Sequence, residues 1–89
     1  MDPDTFLQEL QQRGFESITT VTREPHGALG THTHPFEARA LILSGEIRIG
    51  NVLYRPGDVF HLECNEPHAE QYGPDGVSYL VGRKSPHPG

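Results

Sequence analysis

The sequence predicts an all-β domain preceded by one short helix, and three observations carry that reading. Ten glycines and eight prolines in 89 residues interrupt the chain at short intervals, the spacing expected of brief strands joined by tight turns. From Phe15 onward the pattern is strand-like, in the stretches FESITTVTR, ALGTHTH, EARALILS, EIRIG, VLYR, DVFHLE, HAEQY and VSYLVGR. Between them stand Glu-Pro-His-Gly, Ser-Gly, Gly-Asn, Pro-Gly, Asn-Glu-Pro and Gly-Pro-Asp-Gly, in which glycine supplies positive φ and proline a fixed φ. An all-β barrel or sandwich fits this pattern, and a closed or nearly closed antiparallel barrel would also remove the edges that exposed strands present.

The chain divides into three parts. Residues 1–14 are expected to form an N-terminal helix flanking the barrel: Asp2 or Asp4 caps it, Pro3 suits its first turn, Phe6, Leu7 and Leu10 share one side, and Gly14 ends it. Residues 15–83 make the barrel. Residues 84–89, KSPHPG, read as a flexible polar tail, which leaves His87 without a functional claim. A single domain of this length buries roughly two-thirds of its unfolded surface. Within EARALILS, Leu41 and Leu43 have outward parity, an apolar strip that predicts a homodimer.

Charge and composition exclude several partners. The net charge is −5 and no run of Lys or Arg occurs, so the electrostatic footprint of a nucleic-acid or anionic-membrane binder is missing. No segment approaches the roughly 20 apolar residues of a membrane span, and MDPDTFLQELQQRG has neither the basic start nor the apolar stretch of a secretory signal. The single cysteine, Cys64, precludes an internal disulfide, and together these features predict a cytoplasmic protein. In a predicted turn and without a cationic neighbour in sequence, Cys64 has no catalytic role.

Chemistry concentrates in histidine. His32 and His34, two apart, share one face of a strand, and His68 arrives from a distant strand in PGDVFHLECNEPHAE. Three such imidazoles predict a divalent-metal site, with iron, zinc, nickel or manganese as the candidate ions. Three neutral ligands leave coordination positions open, unlike a closed structural zinc site. His26 and His61 are expected at the surface or behind the ligands.

These residues resemble the cupin superfamily over about residues 24–81. The family's first motif, G-x5-H-x-H-x(3,4)-E-x6-G, is matched at His32, His34 and Gly45. Its second, G-x5-P-x-G-x2-H-x3-N, is matched at Gly57 and His68. The resemblance implies a small cupin-like double-stranded β-helix, or jelly-roll barrel, with a metal in its mouth. Departures are specific. Gly27 stands one residue nearer His32 than the pattern asks. Ala38 occupies the place of the family's glutamate, while Glu63, Asn65 and Tyr72 replace the usual proline, glycine and asparagine. Asn65 tolerates the left-handed conformation that the glycine supplies.

Two native carboxylates compete for the missing ligand. Glu37 has the wrong parity unless a bulge turns it inward. Glu70 shares parity with His68 and Tyr72, so it faces the interior, where a carboxylate needs a metal, a histidine or another donor. Glu70 and Tyr72 are the candidate catalytic groups, and Phe36, Ala38, Ala40, Ile42, Glu70 and Tyr72 the expected ligand pocket. The predicted function is a metal-binding protein that takes a small, anionic ligand. The alternatives are a small metal-dependent enzyme, dioxygenase-like as in the cupins that use three histidines or isomerase/hydrolase-like, and a purely structural barrel without metal.

Overall fold

A computed structural model describes residues 1–86 and contains α1 (Pro3–Gln12), β1 (Ser17–Arg23), β2 (Ala28–His32), β3 (Glu37–Ile49), β4 (Val52–Tyr54), β5 (Val59–Leu62) and β6 (His68–Lys84). His87 lies outside the described residues. The helix begins where its cap predicts: the Asp2 carboxylate accepts from the Thr5 backbone N–H at 3.0 Å and from the Thr5 hydroxyl at 2.8 Å. Those bonds, the backbone one first, hold the Asp2 carboxyl below its usual pKa. At the other end Gly14 adopts φ +80°, the left-handed stop that glycine takes without a Cβ clash.

Two long strands organise everything else. β3 and β6 pair antiparallel along their lengths, from Glu37↔Lys84 to Ile49↔Glu70. Sequence punctuation at Ser44-Gly45 and Gly73–Gly76 predicts turns here. Instead the strands run on and bend together, with register shifts between Ile42 and Ser44 and between Gly45 and Ile47. Gly45 and Gly76 both have φ +70°, and a Cβ on Gly45 would stand 2.1 Å from the Gly76 carbonyl oxygen. The bend therefore depends on glycine in both strands. EARALILS and EIRIG are thus one strand, as are HAEQY and VSYLVGR, so the expected eight stretches become six strands.

The bent ribbon carries a short strand on each quarter. β1 pairs with the C-terminal half of β6, β2 with its N-terminal half, β5 with the first half of β3 and β4 with its second half. This corrects the expectation of a closed jelly-roll barrel. The ladder is open, in the order β1-β6-β3-β4 with β2 on β6 and β5 on β3, and among the described residues no ladder joins the outer strands to one another. The cause is length: β2, β4 and β5 have five, three and four residues, so each runs along only part of its long neighbour and the two margins never meet.

Folding the sheet over itself creates the core. Ala38, Ala40, Ile42, Ile47, Phe60, Leu62, Tyr72, Val77, Tyr79 and Val81 are buried between its halves, as alternate inward positions require. On the outside, α1 lays Phe6 and Leu10 against Phe15 and Leu41. Leu10 rests on Gly82, where a Cβ would meet its Cδ1 at 2.8 Å. Burying two such side chains stabilises the helix contact by about 1.5–3 kcal/mol each. Leu41 is consequently 1% exposed. The apolar strip from which a homodimer is expected is half covered by the protein's own helix, leaving Leu43 at 38% exposure. No helix among the described residues is long and apolar enough to cross a membrane.

Candidate metal centre

The centre is assembled where β2 meets β6. His32 and His68 are direct cross-strand partners, beyond the irregularity between Leu29 and His32. Their ring centroids lie 4.2 Å apart. His34 stands just past β2, in the segment leading to β3, with its ring centroid 4.9 Å from that of His32 and 5.1 Å from that of His68. Its backbone is fixed by the turn before β6, where Asn65 N–H donates to the His34 carbonyl at 2.7 Å. Asn65 has φ +61°, so it supplies the left-handed conformation expected at this position. The three imidazoles singled out in the sequence are thus brought together.

A fourth group joins them. Glu70, two residues beyond His68 on the same face of β6, is 6% exposed. Its Oε2 lies 3.1 Å from His68 Nε2 and 3.3 Å from His32 Nε2, and its Oε1 accepts from the Tyr72 hydroxyl at 3.1 Å. One donor atom from each of His32, His34, His68 and Glu70 can be chosen so that all lie within 4.8 Å of one another. The one carboxylate in this group comes from β6, not from the Ala38 position on β3.

The hydrogen bonds around these rings define their chemistry. His32 Nδ1 lies 2.7 Å from the Gly30 carbonyl and His68 Nδ1 lies 3.1 Å from the Glu66 carbonyl. A carbonyl only accepts, so each Nδ1 carries a proton, and in the neutral form of either ring, the form that ligates a metal, the Nε2 lone pair faces Glu70 Oε2. In that form three acceptors converge in a buried space. A proton on His68 Nε2 satisfies one contact, whereas His32 Nε2 is buried without a hydrogen-bond partner. A cation between them removes the conflict. Two ligands each about 2.1 Å from one ion stand roughly 3.0–3.4 Å apart in octahedral or tetrahedral geometry, which the 3.1 and 3.3 Å separations match.

Burial, and then the charges that His68 and His32 would carry, lower the His34 pKa and keep that ring neutral, the form in which it ligates. Burial first, and the Glu70 carboxylate second, push the Tyr72 hydroxyl far above its usual pKa. Tyr72 therefore stays protonated and fixes one Glu70 oxygen while the other faces the histidines. Carboxylate and tyrosine are linked in the way that orients ligands around metals.

Beside the cluster lies a cavity of about 70 Å³ lined by His32, His34, Glu70, Phe36, Arg23 and Arg83. The expected pocket is corrected in part. Phe36 and Glu70 line this cavity; Ala38, Ala40 and Ile42 belong to the apolar core, and Tyr72 acts through its bond to Glu70. Glu37, the alternative ligand, is placed elsewhere, with its Oε2 2.8 Å from His61 Nε2. No bulge turns it inward, because the β3–β5 register is regular across Ala38↔Leu62 and Arg39↔His61. His26 is exposed in the loop before β2, and Cys64 is half-buried and unpaired in disulfide. Sequence parity did not single out Arg23 and Arg83; their shared inward parity with Val21 and with Tyr79 and Val81 was the available signal.

No family model matches the sequence, and no curated protein matches it. Solved structures do match. The chain is similar to a chain from the crystal structures of the DMSP lyases RdDddP and RnDddQII, with a TM-score of 0.70 and 23% identity over 76% of this chain and 37% of that one. A cupin superfamily protein from Desulfitobacterium hafniense gives a TM-score of 0.67 and 19% identity over 78% of this chain and 66% of that one. The polyketide cyclase RemF from Streptomyces resistomycificus gives 0.67 and 22% over 89% and 62%. The chain spans between 37% and 66% of the length of these structures. Their shared architecture makes this a small cupin-like protein in fold.

Proposed function

We propose that this cupin-like chain binds one divalent transition-metal ion through His32, His34, His68 and Glu70, and presents it to a small anionic ligand in the adjoining cavity. The observation that carries the reading is the buried convergence of the His32 and His68 Nε2 atoms on a Glu70 carboxylate oxygen, with His32 Nε2 without a hydrogen-bond partner. Three imidazoles and one carboxylate suit manganese, iron, nickel or zinc, and disfavour magnesium or calcium, which take oxygen donors. When bound, such an ion polarises an oxygen ligand and lowers the pKa of bound water. The residues do the rest: Gly30 and Glu66 carbonyls fix the ring tautomers, Tyr72 fixes Glu70, and Phe36 closes one wall against His34 with stacked rings 5.0 Å apart.

The test is metal uptake by protein prepared without a polyhistidine tag, followed by elemental analysis and calorimetric titration with manganese, cobalt and zinc. One equivalent bound by the native chain and none by His68→Ala is the expected result. Equal uptake by both would place any bound metal elsewhere. A second reading, catalysis at the same centre, draws support from the buried Glu70 next to the cavity and from the lyase and cyclase among the similar structures. In that reading Glu70 holds or moves a proton, and turnover of a candidate substrate by the metal-loaded protein, lost in Glu70→Gln, is the measurement that separates catalysis from binding.

A further inference from the structure

The cavity beside the cluster is unbalanced in charge. Glu70 is its one acidic lining residue, and its two oxygens already face His32, His68 and Tyr72. Two arginines, Arg23 and Arg83, line the same space, and among the described residues neither has a carboxylate within ion-pair distance. They are not equivalent. Arg23 pairs with Val77 and Arg83 with Ser17 on the β1–β6 ladder, so their backbones stand six residues, roughly 20 Å, apart.

Arg83 is the one fixed against the metal centre. Its guanidinium carbon sits 4.7 Å from the centroid of Phe36, and Phe36 in turn stacks on His34 with an interplanar angle of 18°. A cation held over an aromatic face keeps its N–H edges free for an anion. Resting the guanidinium on Phe36 also limits the rotamer freedom that a bound ligand would otherwise have to remove.

We propose that Arg83 is the receptor for a second acidic group of the ligand, so that the ligand class is a short dicarboxylic acid, or a carboxylic acid bearing an enolate or hydroxyl oxygen. One end addresses the metal held by His32, His34, His68 and Glu70, and the other takes the Arg83 fork; the inference therefore rests on the metal reading. Size agrees with it. A cavity of about 70 Å³ restricts the ligand to a small acid and leaves no room for a cofactor-sized molecule. Arg23, beside Tyr79, adds positive potential to the same cavity, whereas the cation–π contact with Phe36 belongs to Arg83.

The experiment uses the cobalt-loaded full chain and two four-carbon acids, succinate and butyrate, titrated at low salt. Succinate is expected to bind about tenfold more tightly than butyrate, the increment of one charge-assisted hydrogen-bonded pair. In Arg83→Met that preference falls to about unity while the cobalt absorption spectrum and cobalt affinity stay as in the native chain. Arg83→Lys, which keeps the charge and loses the planar fork, retains an intermediate preference. No succinate preference in the native chain, or equal weakening of both acids by Arg83→Met, overturns the assignment while leaving the metal centre standing. Failure to take up cobalt at all, seen before any acid is added, instead removes the metal reading and this inference with it.

Discussion

Two histidine–carboxylate clusters lie on opposite faces of this sheet, and they differ in whether their hydrogen bonds close. In the outer one, His61 Nε2 stands 2.8 Å from a Glu37 oxygen and 3.3 Å from a Glu63 oxygen, while Arg39 Nη1 faces His61 Nδ1 at 3.5 Å. Arg39 also donates from Nε to Glu9 on α1 at 2.5 Å. A guanidinium already stands beside these groups, facing His61 Nδ1 and bonded to Glu9, and the network ties helix to sheet; the three residues Glu37, His61 and Glu63 also have donor atoms close enough to hold an ion. The inner cluster of His32, His34, His68 and Glu70 has no such cation within it. Similar residue types thus give a fastening on one face and, on the other, a buried cluster in which His32 Nε2 is left without a hydrogen-bond partner. The position of an arginine decides which.

The largest expected difference between the two faces is their response to metal. At one hundred times its dissociation constant an ion that binds only the folded state stabilises it by about 2.7 kcal/mol, which for a domain of this size raises Tm by roughly 10–20 °C. Thermal melts with and without zinc should show that rise in the native chain and in His61→Ala, and none in His68→Ala. A rise lost equally in His61→Ala would show that the outer cluster takes metal too.

Glu70→Gln against Glu37→Gln sharpens the comparison at the level of the carboxylate. Loss of the Glu70 charge should weaken metal binding by about ten- to hundredfold, measured by competition with a chelating dye, and Glu37→Gln should leave it unchanged. Ala38→Glu, which would restore the family's glutamate, is expected to destabilise the fold, because Ala38 is 5% exposed in the apolar core and a longer side chain there overpacks it.

A smaller effect is set by pH. His34 has a folded-state pKa below its ordinary value of 6.5, so below that value the unfolded chain binds more protons than the folded one. Stability of the metal-free protein should be flat above pH 6.5 and fall as pH drops from there through the lowered pKa. Urea midpoints at three pH values check this, and His34→Gln should remove its share of the slope while His61→Gln should not. Smallest is Arg39→Met: it should cost about 1–2 kcal/mol by breaking the outer network, read as a lower urea midpoint with metal affinity intact.

Much of this was legible from the residues, and the failures have identifiable causes. The spacing of His32, His34 and His68 marked the cluster, although β2 ends at His32 and His34 reaches the other two from the segment beyond it, not from the shared strand face expected. Glu70 was readable by parity with His68, but parity left it equal in claim to a solvent-facing group until the Tyr72 hydroxyl and two Nε2 atoms were found around it. Turn composition misled at Ser44-Gly45 and Gly73–Gly76, since glycine that reverses a chain and glycine that kinks a strand read alike. Barrel closure failed for a different reason: it depends on how far β2, β4 and β5 extend, and strand ends are weakly encoded in a sequence. Leu41 pointed outward as expected, yet the alternation within β3 carries no record that α1 would cover it.

The placement of β2 has a consequence for how the protein fails. This five-residue strand is exposed at every position except half-buried His32, and among the described residues it is paired only to β6. Its free backbone groups are a template for another chain. With His32 and His34 bound to the same ion as His68 and Glu70, unzipping β2 requires releasing the ion. Without it, fraying costs little beyond a few ladder bonds. Amide exchange in Ala28–His32 should therefore slow when zinc is added, and the lag before fibrillar or amorphous aggregation should lengthen in step, so that the ion acts as a guard on the sheet's margin as well as a centre for binding.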